Sequence, residues 1–103
     1  MNIQELISYI AKRYQFTPEK YPEIKDMTEE EKLSFAIRHL SIHFSKTAGK
    51  VATVSEARDH GGEIDFESLK VDVAKSLLNT LRLAELVKVS SDELESMIKA
   101  YVK

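Results

Sequence analysis

Apolar side chains recur along the chain at intervals of three and four residues, which is the spacing of one face of an α-helix. The first set comprises Ile3, Leu6, Ile7, Ile10 and Tyr14. Asn2 and Glu5 are placed to form a capping box at the start of this helix. Pro18 and Pro22 end it, because the residue before a proline is displaced from the helical region. We expect a loop or a short turn of helix from there to about residue 27.

The pattern predicts a long second helix, from residue 29 to about residue 58. Thr28 and Glu31 supply its capping box, and acidic residues in the first turn favour the positive end of the helix dipole. Its apolar stripe comprises Leu33, Ile37, Leu40, Phe44, Ala48 and Val51. Such a helix is roughly 45 Å long, which is more than one small bundle covers. We therefore expect a second subunit, and we expect Phe35 and Ile42, which lie off the stripe, to face it.

A third helix is predicted from residue 66 to about residue 88. Gly61 and Gly62 end the helix before it, since glycine readily takes the left-handed conformation of a helix end. Asp65 is its expected N-cap. The inward stripe of this helix comprises Leu69, Val73, Leu77, Leu81 and Ala84.

A last helix follows Ser90 and Glu93, which form another capping box. Its apolar residues are Leu94, Met97, Ile98, Tyr101 and Val102. No segment alternates between apolar and polar residues for long enough to predict a strand. The chain is therefore predicted to be one all-α domain of four helices over residues 1–103, in which the second and third helices pair as a hairpin.

Composition excludes several functional classes. The 103 residues include 15 Lys and Arg against 17 Asp and Glu, a net charge of −2 that gives no general attraction for nucleic acid or an anionic membrane. No apolar run approaches the roughly 18 residues of a membrane span. Zero cysteines exclude disulfides, cysteine metal sites and thiol catalysis. We expect a cytoplasmic protein that binds neither nucleic acid nor membrane.

Two segments, residues 46–52 and residues 72–84, resemble the signature helices of the MazG-like nucleoside triphosphate pyrophosphohydrolases. The first segment reads Lys-Thr-Ala-Gly-Lys-Val-Ala, where the family typically has Glu-Glu-x-Gly-Glu-Leu-Ala. The second ends in Leu-Arg-Leu-Ala, as the family's apolar run does. The resemblance implies a MazG-like four-helix bundle, with a short first helix and a long second one, completed by oligomerisation as a dimer or tetramer.

The family's reaction depends on two pairs of carboxylates that hold Mg²⁺ on the triphosphate. Carried over to this sequence, the four ligand positions are Thr47, Lys50, Asp72 and Lys75. Only Asp72 is acidic, and the two lysines repel a cation. The resemblance thus implies a diverged member in which the usual Mg²⁺ site is lost, and no cofactor is predicted unless the family chemistry persists.

Three functional interpretations remain open. In the first, Lys46, Lys50 and Lys75 line the former pocket and bind a nucleotide or another phosphate compound directly. In the second, the chain is a structural or interaction protein whose lysines are a solvated helix face and whose long helix serves a homo-oligomer. In the third, a pyrophosphohydrolase has a shifted metal site. Its candidate ligands are His39, His43, Glu56, Asp59 and His60.

Overall fold

Four α-helices make up the computed structural model, which describes residues 1–102. They are α1 (Ile3–Arg13), α2 (Glu29–Asp59), α3 (Phe66–Leu86) and α4 (Ser91–Tyr101), and a short 3-10 turn (Pro22–Ile24) stands before α2. No strand occurs among these 102 residues. The predicted all-α class is confirmed, and the ends of the second and third helices fall within two residues of the predicted ones.

Side-chain caps explain why the helices begin where they do. The capping boxes at Asn2, Thr28 and Ser90 are all formed, which confirms the three predicted starts. In the first of them, the backbone N–H of Glu5 donates to Asn2 Oδ1 at 2.8 Å. Each box satisfies backbone donors that the first turn of a helix cannot pair internally.

The end of α2 depends on its glycine pair. Gly61 has φ +89°, in the left-handed region, and the N–H of Gly62 donates to the carbonyl of Ala57 at 2.8 Å. A Cβ on Gly62 would lie 2.8 Å from that same carbonyl oxygen. The end of α3 has the same hydrogen-bond pattern, with Lys88 at φ 60° in the left-handed position. Both ends are Schellman motifs.

The core is built around the C-terminal half of α3. Ile7 and Ile10 of α1 pack there against Leu81 and Ala84 of α3. On another side α3 packs along α2, where Leu40 is fully buried.

The observed core departs from the predicted stripe of α3. Leu81 and Ala84 are buried as expected, whereas Val73 and Leu77 are exposed. A helix rises 1.5 Å per residue, so α1 with 11 residues covers only about half the length of α3 with 21. The uncovered half of the stripe therefore faces outward.

The second helix is also rotated relative to its predicted stripe. Its buried residues are Ala36, Leu40 and Thr47, whereas Leu33 and Ile37 remain more than a third exposed. Phe35 is half-buried, and its ring already packs within the chain at 5.7 Å from that of Tyr21, so it does not depend on a second subunit for cover. Ile42 is exposed, as the prediction requires.

Within residues 1–102, none of the helices has both the length and the apolar character needed to cross a membrane.

Two glycine variants are expected to change the free energy of unfolding in opposite directions. Gly49 lies inside α2 with open space where a Cβ would stand, so Gly49→Ala should stabilise by about 0.5–1 kcal/mol. Gly61→Ala places a side chain in the left-handed region and should cost about 1–2 kcal/mol. Urea unfolding of both variants beside the parent measures these changes. Stabilisation by Gly61→Ala would contradict the described end of α2.

Candidate functional site

A cavity of about 520 Å³ opens between the second half of α2 and the first half of α3. The loop that joins the two helices closes one end of it. Its lining combines two lysines and three carboxylates with hydroxyl and small apolar groups. The lining residues are Lys50, Thr53, Val54, Ala57, Glu63, Asp65, Ser68, Val71, Asp72 and Lys75.

Polar residues at the contact between α2 and α3 set the position of this cavity. Thr47 and Asn79 are both buried there, and Asn79 Nδ2 donates to Thr47 Oγ1 at 3.4 Å. Asp72 lies seven residues before Asn79 and therefore on nearly the same face of α3. Between Asp72 and Asn79, the face of α3 that packs against α2 is thus polar.

Asp72 is the unusual member of the lining. Its residue is only 6% exposed, yet no hydrogen bond or ion pair reaches its carboxylate from residues 1–102. Ser76 donates instead to the backbone carbonyl of Asp72, at 2.8 Å. The carboxylate oxygens are not among the enclosed side-chain atoms without a partner, so they open onto the cavity that the residue lines. The carboxylate is therefore placed to accept hydrogen bonds from a molecule in the cavity.

Lys50 and Lys75 bring two ammonium groups to the same cavity. Both side chains are exposed, and neither forms an ion pair with another residue in the described part of the chain. The ion pairs found there are Lys32–Glu29, Lys70–Glu67, Lys88–Glu85 and Lys99–Glu95, each within three or four residues along the sequence. The two cavity lysines keep all their donors for an anion.

Asp65 has a structural task at the edge of the cavity. Its carboxylate accepts hydrogen bonds from the backbone N–H of Ser68 at 3.1 Å and from the Ser68 hydroxyl at 2.9 Å. These bonds favour the charged form and lower the pKa of Asp65 below its ordinary value. The predicted N-cap of α3 is thereby confirmed.

Three of the five candidate ligand-binding residues, Lys50, Asp72 and Lys75, line this one cavity. Thr47 is buried in the helix contact beside Asn79, and Lys46 is exposed outside the lining. Sequence reasoning missed Thr53, Ser68 and Glu63. The sequence contains no distinct signal for Asn79, because Thr80 and Arg82 also stand among the leucines of this stretch.

The histidines belong to a different cluster, where the loop after α1 packs on α2. His39 Nε2 lies 3.4 Å from the Tyr21 hydroxyl and 3.2 Å from His43 Nε2. The rings of Phe16 and Phe35 pack around His39, with centroids at 5.7 and 6.1 Å. The imidazoles thus hold the loop against the helix.

The structure does not bring the five candidate metal ligands together. His39 and His43 are adjacent, but Glu56, Asp59 and His60 begin 13 residues further along the same helix, about 20 Å away. No group of three or more histidine or acidic side chains in residues 1–102 is arranged to hold a metal ion.

The chain has no significant match among protein-family models, curated proteins or solved structures. The MazG-like interpretation therefore depends on the two segments of the sequence that carry the resemblance.

The free energy of unfolding is expected to fall as the pH drops below about 6.5, the ordinary pKa of histidine. Burial, and then the charges of His43 and Arg82, lower the pKa of His39. The unfolded chain consequently binds a proton that folded His39 resists, and acid favours unfolding. His39→Phe keeps a ring in the cluster and should weaken this acid sensitivity.

Denaturant midpoints measured from about pH 5 to 8 test this expectation, because histidine is the side chain that titrates in this range. His60→Phe is the matched control, since His60 is exposed beyond the end of α2. Equal acid sensitivity in the parent and in His39→Phe would show that His39 is not the responsible group.

Proposed function

We propose that the chain is a diverged MazG-like protein whose cavity between α2 and α3 binds a nucleotide or a related phosphate compound without the family's usual Mg²⁺ site. The observation that supports this most is that Lys50, Asp72 and Lys75 line one cavity. These are three of the four positions at which the resemblance places the family's metal ligands.

The charges of the lining favour a particular kind of ligand. Two free lysines suit phosphate oxygens, for which an ammonium group acts as a point charge. The lining also contains three carboxylates, so bare phosphate matches only part of it. The Asp72 carboxylate can accept hydrogen bonds, which the hydroxyls of a sugar or the amine of a base supply. A nucleotide offers both kinds of group.

The size of the cavity is compatible with this ligand. Its volume of about 520 Å³ falls within the roughly 300–1,000 Å³ of small-molecule sites. No catalytic step is assigned to these residues, because only one of the family-equivalent positions carries a carboxylate.

A structural role in a homo-oligomer is the second candidate function. It is favoured by the exposed apolar residues on α3 and α4, which include Val73, Leu77, Met97 and Ile98. Ligand binding and assembly are separate properties and are tested separately.

Nucleoside triphosphates are expected to raise the melting temperature of the protein in the presence of a metal chelator. A ligand at 100 times its dissociation constant stabilises the folded state by about 2.7 kcal/mol, which shifts the melting temperature of a small domain by roughly 10 °C or more. Inorganic tripolyphosphate should stabilise less, because it leaves Asp72 without a donor. A thermal-shift panel of four nucleoside triphosphates, their monophosphates and tripolyphosphate measures these differences.

Two lysine variants and two controls make this test specific. Lys50→Gln and Lys75→Gln should abolish most of the shift, since each removes an ammonium group from the cavity. Lys46 and Lys70 lie on the same two helices but outside the cavity lining, so Lys46→Gln and Lys70→Gln should retain the nucleotide-induced shift. The proposed site would be overturned if no nucleotide raised the melting temperature, if the increase required added metal, or if all four variants lost the increase equally.

A further inference from the structure

The chain exposes more surface than a folded monomer of its mass. Its accessible surface is 7806 Å², whereas a compact monomer of 11.7 kDa exposes about 5,900 Å². Its radius of gyration is 16.5 Å, against about 13 Å for a compact chain of this length. The excess of about 1,900 Å² is close to what one partner buries in an obligate homodimer, roughly 1,000–2,500 Å².

Part of this excess is the uncovered half of α3. Phe66, Val73 and Leu77 are spaced by seven and four residues, so they share one face, and they are 62%, 61% and 45% exposed. This face is continuous with Leu81 and Ala84, which α1 covers. An apolar groove of about 440 Å³ between α1 and α3 extends from the buried part to Leu77.

The other large apolar face is on α4. Met97, Ile98 and Tyr101 are 59%, 60% and 92% exposed, and α4 has no buried residue. Only Leu94, in its first turn, packs against the core. The helix has 11 residues and is about 16 Å long. The uncovered stretch of α3 from Phe66 to Leu77 has nearly the same length.

The two faces cannot cover each other within one chain. Helix α4 starts five residues after the C-terminal end of α3, whereas Phe66 stands at the N-terminal end of α3, about 30 Å away. The α3 face nearest to α4 is already occupied by Ile7 and Ile10 of α1. A second copy of this chain supplies an apolar helix of the right length to cover this face.

We propose that two copies form a twofold dimer in which α4 of each copy docks on the uncovered half of α3 of the other. Phe66, Val73 and Leu77 then meet Met97, Ile98 and Tyr101 at two equivalent contacts, as twofold symmetry requires. Helix α1 covers the C-terminal half of the apolar face of α3, and α4 of the other copy covers the N-terminal half. Lys50 and Lys75 take no part in this interface, so the dimer does not depend on ligand binding.

Sedimentation velocity on the full chain tests the proposal. The parent should sediment as a dimer of 11.7 kDa subunits, and Val73→Glu and Ile98→Glu should each sediment as monomers. Both positions are exposed in the single chain, so far-UV circular dichroism should show that helix content is retained. Ile42→Glu is the matched control: it is an equally exposed apolar residue on α2, outside the proposed contact, and should remain dimeric.

Disulfide trapping then tests which helices meet, because the chain has no cysteine of its own. A mixture of Val73→Cys and Ile98→Cys proteins, whose positions lie within the two faces, should form the mixed disulfide dimer in much higher yield than a mixture of Ile42→Cys and Ile98→Cys. A monomeric parent, a dimer that Ile42→Glu dissociates and Ile98→Glu does not, or equal trapping in both mixtures would overturn the proposal.

Discussion

The polar contact between Thr47 on α2 and Asn79 on α3 determines how the central hairpin is rotated. Thr47 and Asn79 are both buried where these two faces meet, and a hydrogen bond of 3.4 Å pairs their polar groups across the contact. Asp72 shares the Asn79 face and is carried into the same contact region. With that face of α3 turned towards α2, the apolar residues Val73 and Leu77 point away from α2 and are exposed.

The cavity and the exposed apolar face thus have a common origin. A hairpin packed through the predicted apolar stripes would bury Val73 and Leu77 and leave Asp72 in water. Instead the chain places Asp72 in the region of the helix contact, with its carboxylate open to the cavity, and exposes apolar side chains. The exposed apolar side chains forgo the stabilisation that burial would give in the single chain. Such a departure from the hydrophobic pattern is expected where a site for a ligand or a partner has been built.

The sequence predicted the helices far better than their rotations. Capping boxes are local, so Asn2, Thr28 and Ser90 locate the helix starts without knowledge of the fold. The rotation of a helix about its axis depends on which neighbouring helices are long enough to cover its apolar face. Helix α1, with 11 residues, covers only part of α3, which has 21. A polar residue such as Asn79 among the leucines of α3 is compatible with several rotations until its partner on α2 is known.

The candidate site was likewise predictable in part. Lys50, Asp72 and Lys75 were located because the resemblance assigned them positions on two paired helices. Thr53 and Ser68 were missed, since their place in the lining follows from how far α2 and α3 separate towards the loop. For the histidines, helical spacing indicated that His39 and His43 are adjacent. Their contact with Tyr21 depends on the packing of the loop, which no periodicity encodes.

The most direct measurement is a titration of ¹⁵N-labelled protein with adenosine triphosphate in the presence of a metal chelator, followed by amide chemical shifts. The account predicts that the perturbed amides cluster around the cavity, at Lys50, Thr53, Ser68, Asp72 and Lys75. Amides near His39 and on α4 should move little. Perturbations confined to α1 and α4, scattered over the surface, or absent at millimolar nucleotide would contradict the account.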